Sequence, residues 1–179
     1  MKYLICSDTH GRIISTKKLL DAIKRENPDF VIHLGDFLYN GPRNGVPDDY
    51  DPASVADIFS KLKEKIIGIK GNCDSRVDEM VLGFALEDSK ALPIGGHIVW
   101  LVHGDKLDEV KRLVGDKDII LYGHTHIYEI AKQDGVLYVN PGSIGFPKND
   151  NPSTYAILED GMISIKELES GKTLIFKEI

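Results

Sequence analysis

The stretch Tyr3-Leu4-Ile5-Cys6-Ser7-Asp8-Thr9-His10-Gly11 carries the pattern from which the architecture can be read. Four apolar residues in a row suit a strand buried on both faces. The run ends abruptly in Asp8 and His10, with Gly11 free to turn the backbone. The pattern returns at Phe30-Val31-Ile32-His33-Leu34, closed by Gly35-Asp36. Between the two runs, Leu19, Leu20 and Ile23 share one helical face, with Ser15 or Thr16 placed to cap the helix and Pro28 to stop it. A second helix is expected from Pro52-Ala53, carrying Val55, Ile58, Phe59 and Leu62, before Ile66-Ile67-Gly68-Ile69 runs into Gly71-Asn72. Strand, helix, strand, helix, strand predicts a parallel sheet covered by helices.

The second half reads differently. Ile98–Val102 and Ile119–Tyr122 are strand-like, with a short helix expected over Leu107–Val114. Short strands then follow at Ile127–Ala131, Val136–Val139, Tyr155–Leu158, Ile163–Leu168 and Thr173–Phe176, and the turns Asp134-Gly135, Asp160-Gly161 and Ser170-Gly171 suggest an antiparallel meander. The segment 38–51 is long for a connection, and such loops are functional or disordered. A length of 179 residues predicts a single domain over 1–179.

Composition narrows the function. Lys+Arg 22 against Asp+Glu 28 gives a net charge of −6, which argues against an extended nucleic-acid or anionic membrane surface. Two cysteines, Cys6 and Cys73, make no disulfide framework. The N-terminus lacks a signal-peptide apolar stretch, and no run reaches the roughly 20 apolar residues of a membrane span, so a soluble cytoplasmic protein is expected.

Five apolar runs end in polar residues able to hold metal or phosphate: Asp8 and His10, Asp36, Asn72 to Asp74, His103, and His124 with His126. Ligands of open α/β sheets bind beyond the carboxyl ends of strands. Two carboxylates, one amide and four imidazoles suit Mn, Fe, Zn, Co or Ni better than Mg or Ca. Two such ions about 3.5–4 Å apart form the clamp of hydrolytic phosphatases, and Asp36 is the natural bridging carboxylate. Two divalent ions, two carboxylates and a hydroxide leave a net charge of about +1, so an acidic protein would hold a pocket that attracts phosphate.

In that order, Asp8-Thr9-His10, Gly35-Asp36, Gly71-Asn72-Cys73-Asp74, His103 and Gly123-His124-Thr125-His126 resemble the motifs of the calcineurin-like metallophosphoesterases. Gly41-Pro42-Arg43-Asn44, Gly71 to Ser75 and Asn140-Pro141-Gly142-Ser143 are similar, more narrowly, to the small bacterial YfcE-type phosphodiesterase subfamily. The resemblance implies an α/β fold, a four-layer αββα sandwich of two mixed β-sheets flanked by helices. It implies two divalent transition-metal ions, Mn first, with Fe, Zn, Ni or Co as alternatives. Asp8, His10, Asp36 and His126 would hold one ion; Asp36, Asn72, His103 and His124 would hold the other. The implied reaction is in-line attack of a metal-bridging hydroxide on a small phosphodiester, and the subfamily suggests a homo-oligomer.

One position departs from the family. A histidine commonly follows the Gly-Asn pair as the acid near the leaving group, and here that position is Cys73. A thiol with a reference pKa near about 8.5 supplies no positive charge. Losing a positioned acid costs on the order of 10²–10⁴ in rate, so slow turnover of poor leaving groups is expected. The subfamily shares this cysteine.

Asn72, Cys73 and Asp74 are the candidate catalytic residues. Arg12, Asn40 and Arg43, with Asn72, are candidates for substrate contact, a guanidinium being able to bind a phosphodiester through two N–H groups. Asp74 is expected to orient His103 or His124, His33 to be a hydrogen-bonded core residue, and His97 to lie in an exposed turn. Two rival readings use the same domain: a non-catalytic scaffold like the retromer subunit of this fold, and a phosphomonoesterase. All seven ligand positions are filled, against the scaffold. A monoester, with about two negative charges, would ask for more cations than the sequence visibly supplies.

Overall fold

In the computed structural model, which describes residues 1–179, two mixed sheets pack face to face between helices. The first half supplies β1 (Tyr3–Cys6), α1 (Ile13–Glu26), β2 (Phe30–His33), α2 (Pro52–Ser60), β3 (Ile66–Gly68) and α3 (Arg76–Leu82). Then come β4 (Ser89–Ile94), β5 (His97–Val102), α4 (Leu107–Val110), β6 (Ile119–Tyr122), β7 (Glu129–Gln133) and β8 (Val136–Asn140). The chain closes with β9 (Thr154–Glu159), β10 (Met162–Glu167) and β11 (Thr173–Glu178). The first sheet runs β11-β10-β9-β1-β2-β3 and the second β4-β5-β6-β8-β7.

Burial follows from side-chain alternation along the central strands. Leu4, Cys6 and Val31 face one way and pack under Leu19 and Ala22 of α1 and Val55 and Phe59 of α2. Ile5 and Ile32 face the other way and meet Val99, Leu101 and Leu121 of the second sheet. Beyond that sheet, Val110 of α4 packs on Val102, Ile120 and Val136. These three apolar layers make the αββα sandwich.

The structure departs from the pattern expected of the sequence at several points. The β strands after Tyr122 do not form one meander. β7 and β8 make a hairpin on the second sheet, while β9, β10 and β11 return to the first, where β9 pairs antiparallel with β1. β5, β6 and β8 pair parallel, with Leu101 opposite Leu121 and Leu121 opposite Val139. Helix α1 begins at Ile13 without a side-chain cap, and Thr16 lies inside it, its hydroxyl donating to the Arg12 carbonyl at 2.8 Å. His97 is the first, partly buried residue of β5, its Nδ1 2.8 Å from the Lys117 carbonyl.

Register sets up the site. Cys6 lies opposite His33, and His33 opposite Gly68, so the segments after β1, β2 and β3 leave the sheet at one edge. Val102 lies opposite Tyr122, which does the same for His103 and His124. Backbone bonds stitch these loops together: Asp8 N–H to Gly35 O at 3.0 Å, His10 N–H to Asp36 O at 3.0 Å, and Gly123 N–H to His103 O at 2.7 Å. The 38–51 segment is tied back to α1 by Ile13 N–H to Asp49 O at 3.1 Å and Asp51 N–H to Gly11 O at 2.9 Å. No helix is long and apolar enough to cross a membrane.

Candidate metal centre

Five of the seven expected ligands sit in left-handed backbone: Asp8 at φ 58°, His10 at 48°, Asp36 at 59°, His124 at 70° and His126 at 63°. This conformation is uncommon for residues with a Cβ, and its concentration at one locus marks a backbone bent to aim side chains. Glycines make room for them. A Cβ on Gly35 would fall 2.8 Å from His103 Nδ1, and one on Gly123 would fall 2.0 Å from Ser7 Oγ and 3.0 Å from Asp8 Oδ2.

The side chains converge. Asp8 Oδ1 lies 3.3 Å from His126 Nε2 and 3.6 Å from His10 Nε2. Asp36 Oδ2 lies 3.5 Å from His10 Nε2 and 3.4 Å from His103 Nε2. His103 Nε2 is in turn 3.1 Å from Asn72 Oδ1 and 3.3 Å from His124 Nδ1. Candidate ligand atoms of Asp8, His10 and His126 all lie within 4.8 Å of one another, as do those of Asp8, Asp36 and His103. All seven residues therefore join in one cluster, with Asp36 between its two ends.

Three imidazoles are oriented by main chain. The Nδ1 atoms of His10, His103 and His126 lie 2.7, 2.7 and 2.6 Å from the carbonyls of Tyr39, Leu34 and Phe146. Each Nδ1–H donates to its carbonyl, which leaves the Nε2 lone pair pointing into the cluster. His10 Nε2 and His126 Nε2 face each other at 3.3 Å, and in this neutral tautomer neither can donate to the other. Asp8 Oδ1 is buried without any hydrogen-bond donor. A buried bare oxygen beside converging nitrogen lone pairs is costly without a cation, and the imidazole-rich donor set fits a divalent transition metal.

The charges agree. Burial opposes ionisation of Asp8, but His10 and His126, when their Nε2 atoms carry protons, hold its carboxyl well below the usual range. Burial disfavours protonated His103, and the carboxylates of Asp36 and Asp8 override it, raising the imidazole to about 9, so the site draws positive charge to Nε2: a proton by itself, or a cation that displaces that proton and frees the lone pair. Burial, reinforced by Asp36, pushes the Cys73 thiol up to about 12, so it stays protonated. Cys73 instead contributes its backbone N–H to Asp36 Oδ1 at 2.9 Å.

Other expected site residues are placed elsewhere. Asp74 does not orient a histidine: its carboxylate accepts the N–H groups of Asp36, Phe37 and Gly71, each at 2.8 Å. It binds the second and third ligand loops together. Arg12 pairs with Asp49 through Nε, donates to the Gly145 carbonyl at 3.2 Å and lies over the Phe146 ring, away from the cleft wall. Asn40 is turned into its own loop, bonding the Gly45 carbonyl. Arg43 alone of these three lines the cleft of about 340 Å³ above the cluster. His33 is a core residue: its Nδ1 accepts from Gly35 N–H at 3.2 Å, its Nε2 meets Thr9 Oγ1 at 3.1 Å, and burial lowers its pKa to about 3.

Three contributors escaped the sequence reading. Lys148 lines the cleft opposite the long loop, brought there by its backbone N–H bond to the His126 carbonyl at 3.3 Å. Asn140 donates to Gly123 O at 2.9 Å and to Thr125 Oγ1 at 3.0 Å, fixing the turn that carries His124 and His126. Ser143 donates to the Asp8 carbonyl at 2.9 Å and accepts from Phe146 N–H at 2.8 Å. The Asn140-Pro141-Gly142-Ser143 motif was the available signal for the last two.

Comparison with known proteins agrees with this geometry. A family model described as the calcineurin-like phosphoesterase superfamily domain matches residues 1–160. Phosphodiesterase YfcE of Escherichia coli K12 is 34% identical over 168 residues, covering 92% of this chain and 91% of that protein. The solved structure of E. coli YfcE, described as a phosphoesterase, superposes with a TM-score of 0.91 at 30% identity, covering 100% of both chains. The vacuolar protein sorting 29 structure from Cryptosporidium parvum shares the fold alone, with a TM-score of 0.69 at 18% identity, covering 99% of this chain and 97% of that one. The chain belongs to the calcineurin-like phosphoesterase superfamily.

Proposed function

We propose that the protein is a dinuclear metal-dependent phosphodiesterase acting on a small phosphodiester. One observation carries the reading: Asp36 Oδ2 lies 3.5 Å from His10 Nε2 and 3.4 Å from His103 Nε2, between two halves of a single ligand cluster. Asp8, His10, Asp36 and His126 would hold one divalent ion and Asp36, Asn72, His103 and His124 the other, manganese being the first candidate. Bound there, two such ions supply Lewis-acid polarisation of the phosphoryl oxygens and a water acidified towards neutral pH.

The chain's own groups do the rest. The three backbone carbonyls at Tyr39, Leu34 and Phe146 keep His10, His103 and His126 in one tautomer. Arg43 and Lys148 at the cleft mouth draw in the anionic phosphate and orient it. Cys73, a protonated thiol, offers the leaving group only a weak hydrogen bond and no charge, so departure depends on the leaving group's own acidity. The relation to a protein named a phosphodiesterase supports the diester.

Purified protein should hydrolyse bis-p-nitrophenyl phosphate with added Mn²⁺, and both EDTA and Asp36→Asn should abolish it. Activity surviving thorough chelation and Asp36→Asn would refute the reading. A phosphomonoesterase is the second reading, favoured by the pair of cations Arg43 and Lys148 at the cleft. Faster turnover of p-nitrophenyl phosphate than of the diester would select it. The scaffold reading has no support from the donor set and would return only if the Mn²⁺-saturated protein held less than one metal per chain.

A further inference from the structure

A second cleft, of about 800 Å³, opens between α2, α3 and the 38–51 loop. Its wall is apolar, formed largely by Leu38, Tyr39, Tyr50, Ala53, Val77 and Val81. Val77 and Val81 remain 65% and 53% exposed, so nothing within the chain covers them. Two residues make this cleft continuous with the metal centre. Cys73 lines both clefts. Tyr39 lines the apolar cleft, while its carbonyl lies 2.7 Å from His10 Nδ1 and holds that ligand's tautomer.

The two clefts divide by polarity. The metal-side cleft has one hydrophobic residue, Cys73, among eleven in its lining, so it has little with which to cover an organic group. The second cleft has no lysine or arginine in its wall. Its two carboxylates are already engaged, Asp57 with Lys61 at 2.6 Å and Asp78 with the Ser75 N–H at 2.6 Å. Such a wall repels a second anionic group and rewards burial of a neutral apolar one.

We propose that the cleft between α2 and α3 is the subsite for a neutral, apolar arm of the phosphodiester, aromatic or of similar flatness, whose phosphate sits at the metal centre. The inference rests on the phosphodiesterase reading and specifies its substrate class: a diester with one organic arm lacking further negative charge. Cys73 and Tyr39 lie where the phosphate side and the arm side of such a molecule meet.

The test compares diphenyl phosphate with dimethyl phosphate, which carry the same single charge and differ only in their arms. Calorimetry on the Mn²⁺-loaded wild type should show diphenyl phosphate binding about tenfold tighter or more, as expected for one ring leaving water. Ala53→Trp, which fills the groove, and Val81→Lys, which charges it, should each cut the ratio to below about twofold. Both positions are exposed, so the core is left intact. Met80→Lys, on the same helix but outside the groove wall, should keep the wild-type ratio. The kcat/KM ratio of phenyl over methyl p-nitrophenyl phosphate should follow the same order.

Equal affinities in the wild type, or a preference that survives both groove variants, would overturn the proposal. So would a dimer, seen by sedimentation equilibrium, that both groove variants dissociate, because a second copy would then occupy the cleft. Selective binding of the diphenyl ester without Mn²⁺-dependent hydrolysis of either p-nitrophenyl diester would instead refute the phosphodiesterase reading and leave the subsite standing.

Discussion

Gly71 lies against the carboxylate of Asp36 so closely that a Cβ at this position would fall 2.1 Å from Asp36 Oδ1 and 2.4 Å from its backbone nitrogen. The third ligand loop can approach the second only because residue 71 has no side chain. Gly71→Ala must displace Asp36, the carboxylate between the two halves of the cluster. Its Mn²⁺-dependent kcat/KM should fall by about 10² or more, as expected when a central ligand moves by an ångström. Wild-type activity in this variant would show that Asp36 does not need its observed position.

Asp74 holds that same approach from below, accepting N–H groups from both loops. Asp74→Ala strands three buried donors, which should cost about 2–4 kcal/mol of unfolding free energy. The urea midpoint should drop with little change in slope. Were Asp74 instead an orienting partner of a histidine, activity would fall while the midpoint stayed in place.

Arg12 and Arg43 should separate cleanly. Arg43→Ala and Lys148→Ala remove cations at the cleft mouth and should each raise KM by about threefold to tenfold, with kcat and stability little changed. Arg12→Ala breaks the tie among Asp49, Gly145 and Phe146 and should lower stability by about 1–2 kcal/mol. A KM effect confined to Arg12→Ala would reverse the assignment of the two arginines.

Glu26, at the end of α1, meets Lys2 at 3.0 Å, Lys166 at 2.8 Å and the Tyr155 hydroxyl at 2.8 Å. Burial opposes its ionisation, but these donors prevail and lower its pKa from 4.5 to about 2. Because the folded-state value is depressed, the stabilisation is complete above the unfolded value and disappears as pH falls towards the folded one. Between those two values the wild type should lose about 1–2 kcal/mol more than Glu26→Gln does, after allowance for solvent screening. Parallel pH profiles for the two proteins would remove Glu26 as a link between α1 and the first sheet.

The convergence of the seven candidate ligands was legible in the sequence because each of their loops follows a strand whose apolar run stops abruptly, as at Cys6 before Ser7-Asp8 and at Leu34 before Gly35-Asp36. β4 was not legible: Ser89-Lys90-Ala91-Leu92-Pro93-Ile94 alternates between exposed and half-buried, with no fully buried residue and a proline in an edge strand. α3 was missed because its outward face carries Val77, Met80 and Val81, while only Leu82 is buried. The Ser75–Asp78 capping box at its start and Gly83 at its end were its local signals. The split of the late strands between two sheets depends on long-range pairing of β9 with β1, which no local periodicity encodes. Asp74, Arg12 and Asn40 were misread for a related reason: a polar side chain beside a ligand motif looks the same in sequence whether it faces the cleft or the backbone.

The metal content of the Mn²⁺-saturated protein, measured after free metal is removed, decides whether the centre is dinuclear. Two ions per chain are expected in the wild type, and at most one in Asp36→Asn, because both halves of the cluster would share that carboxylate. A wild-type chain that saturates at one ion or none, or an Asp36→Asn chain that retains two, would contradict this dinuclear arrangement.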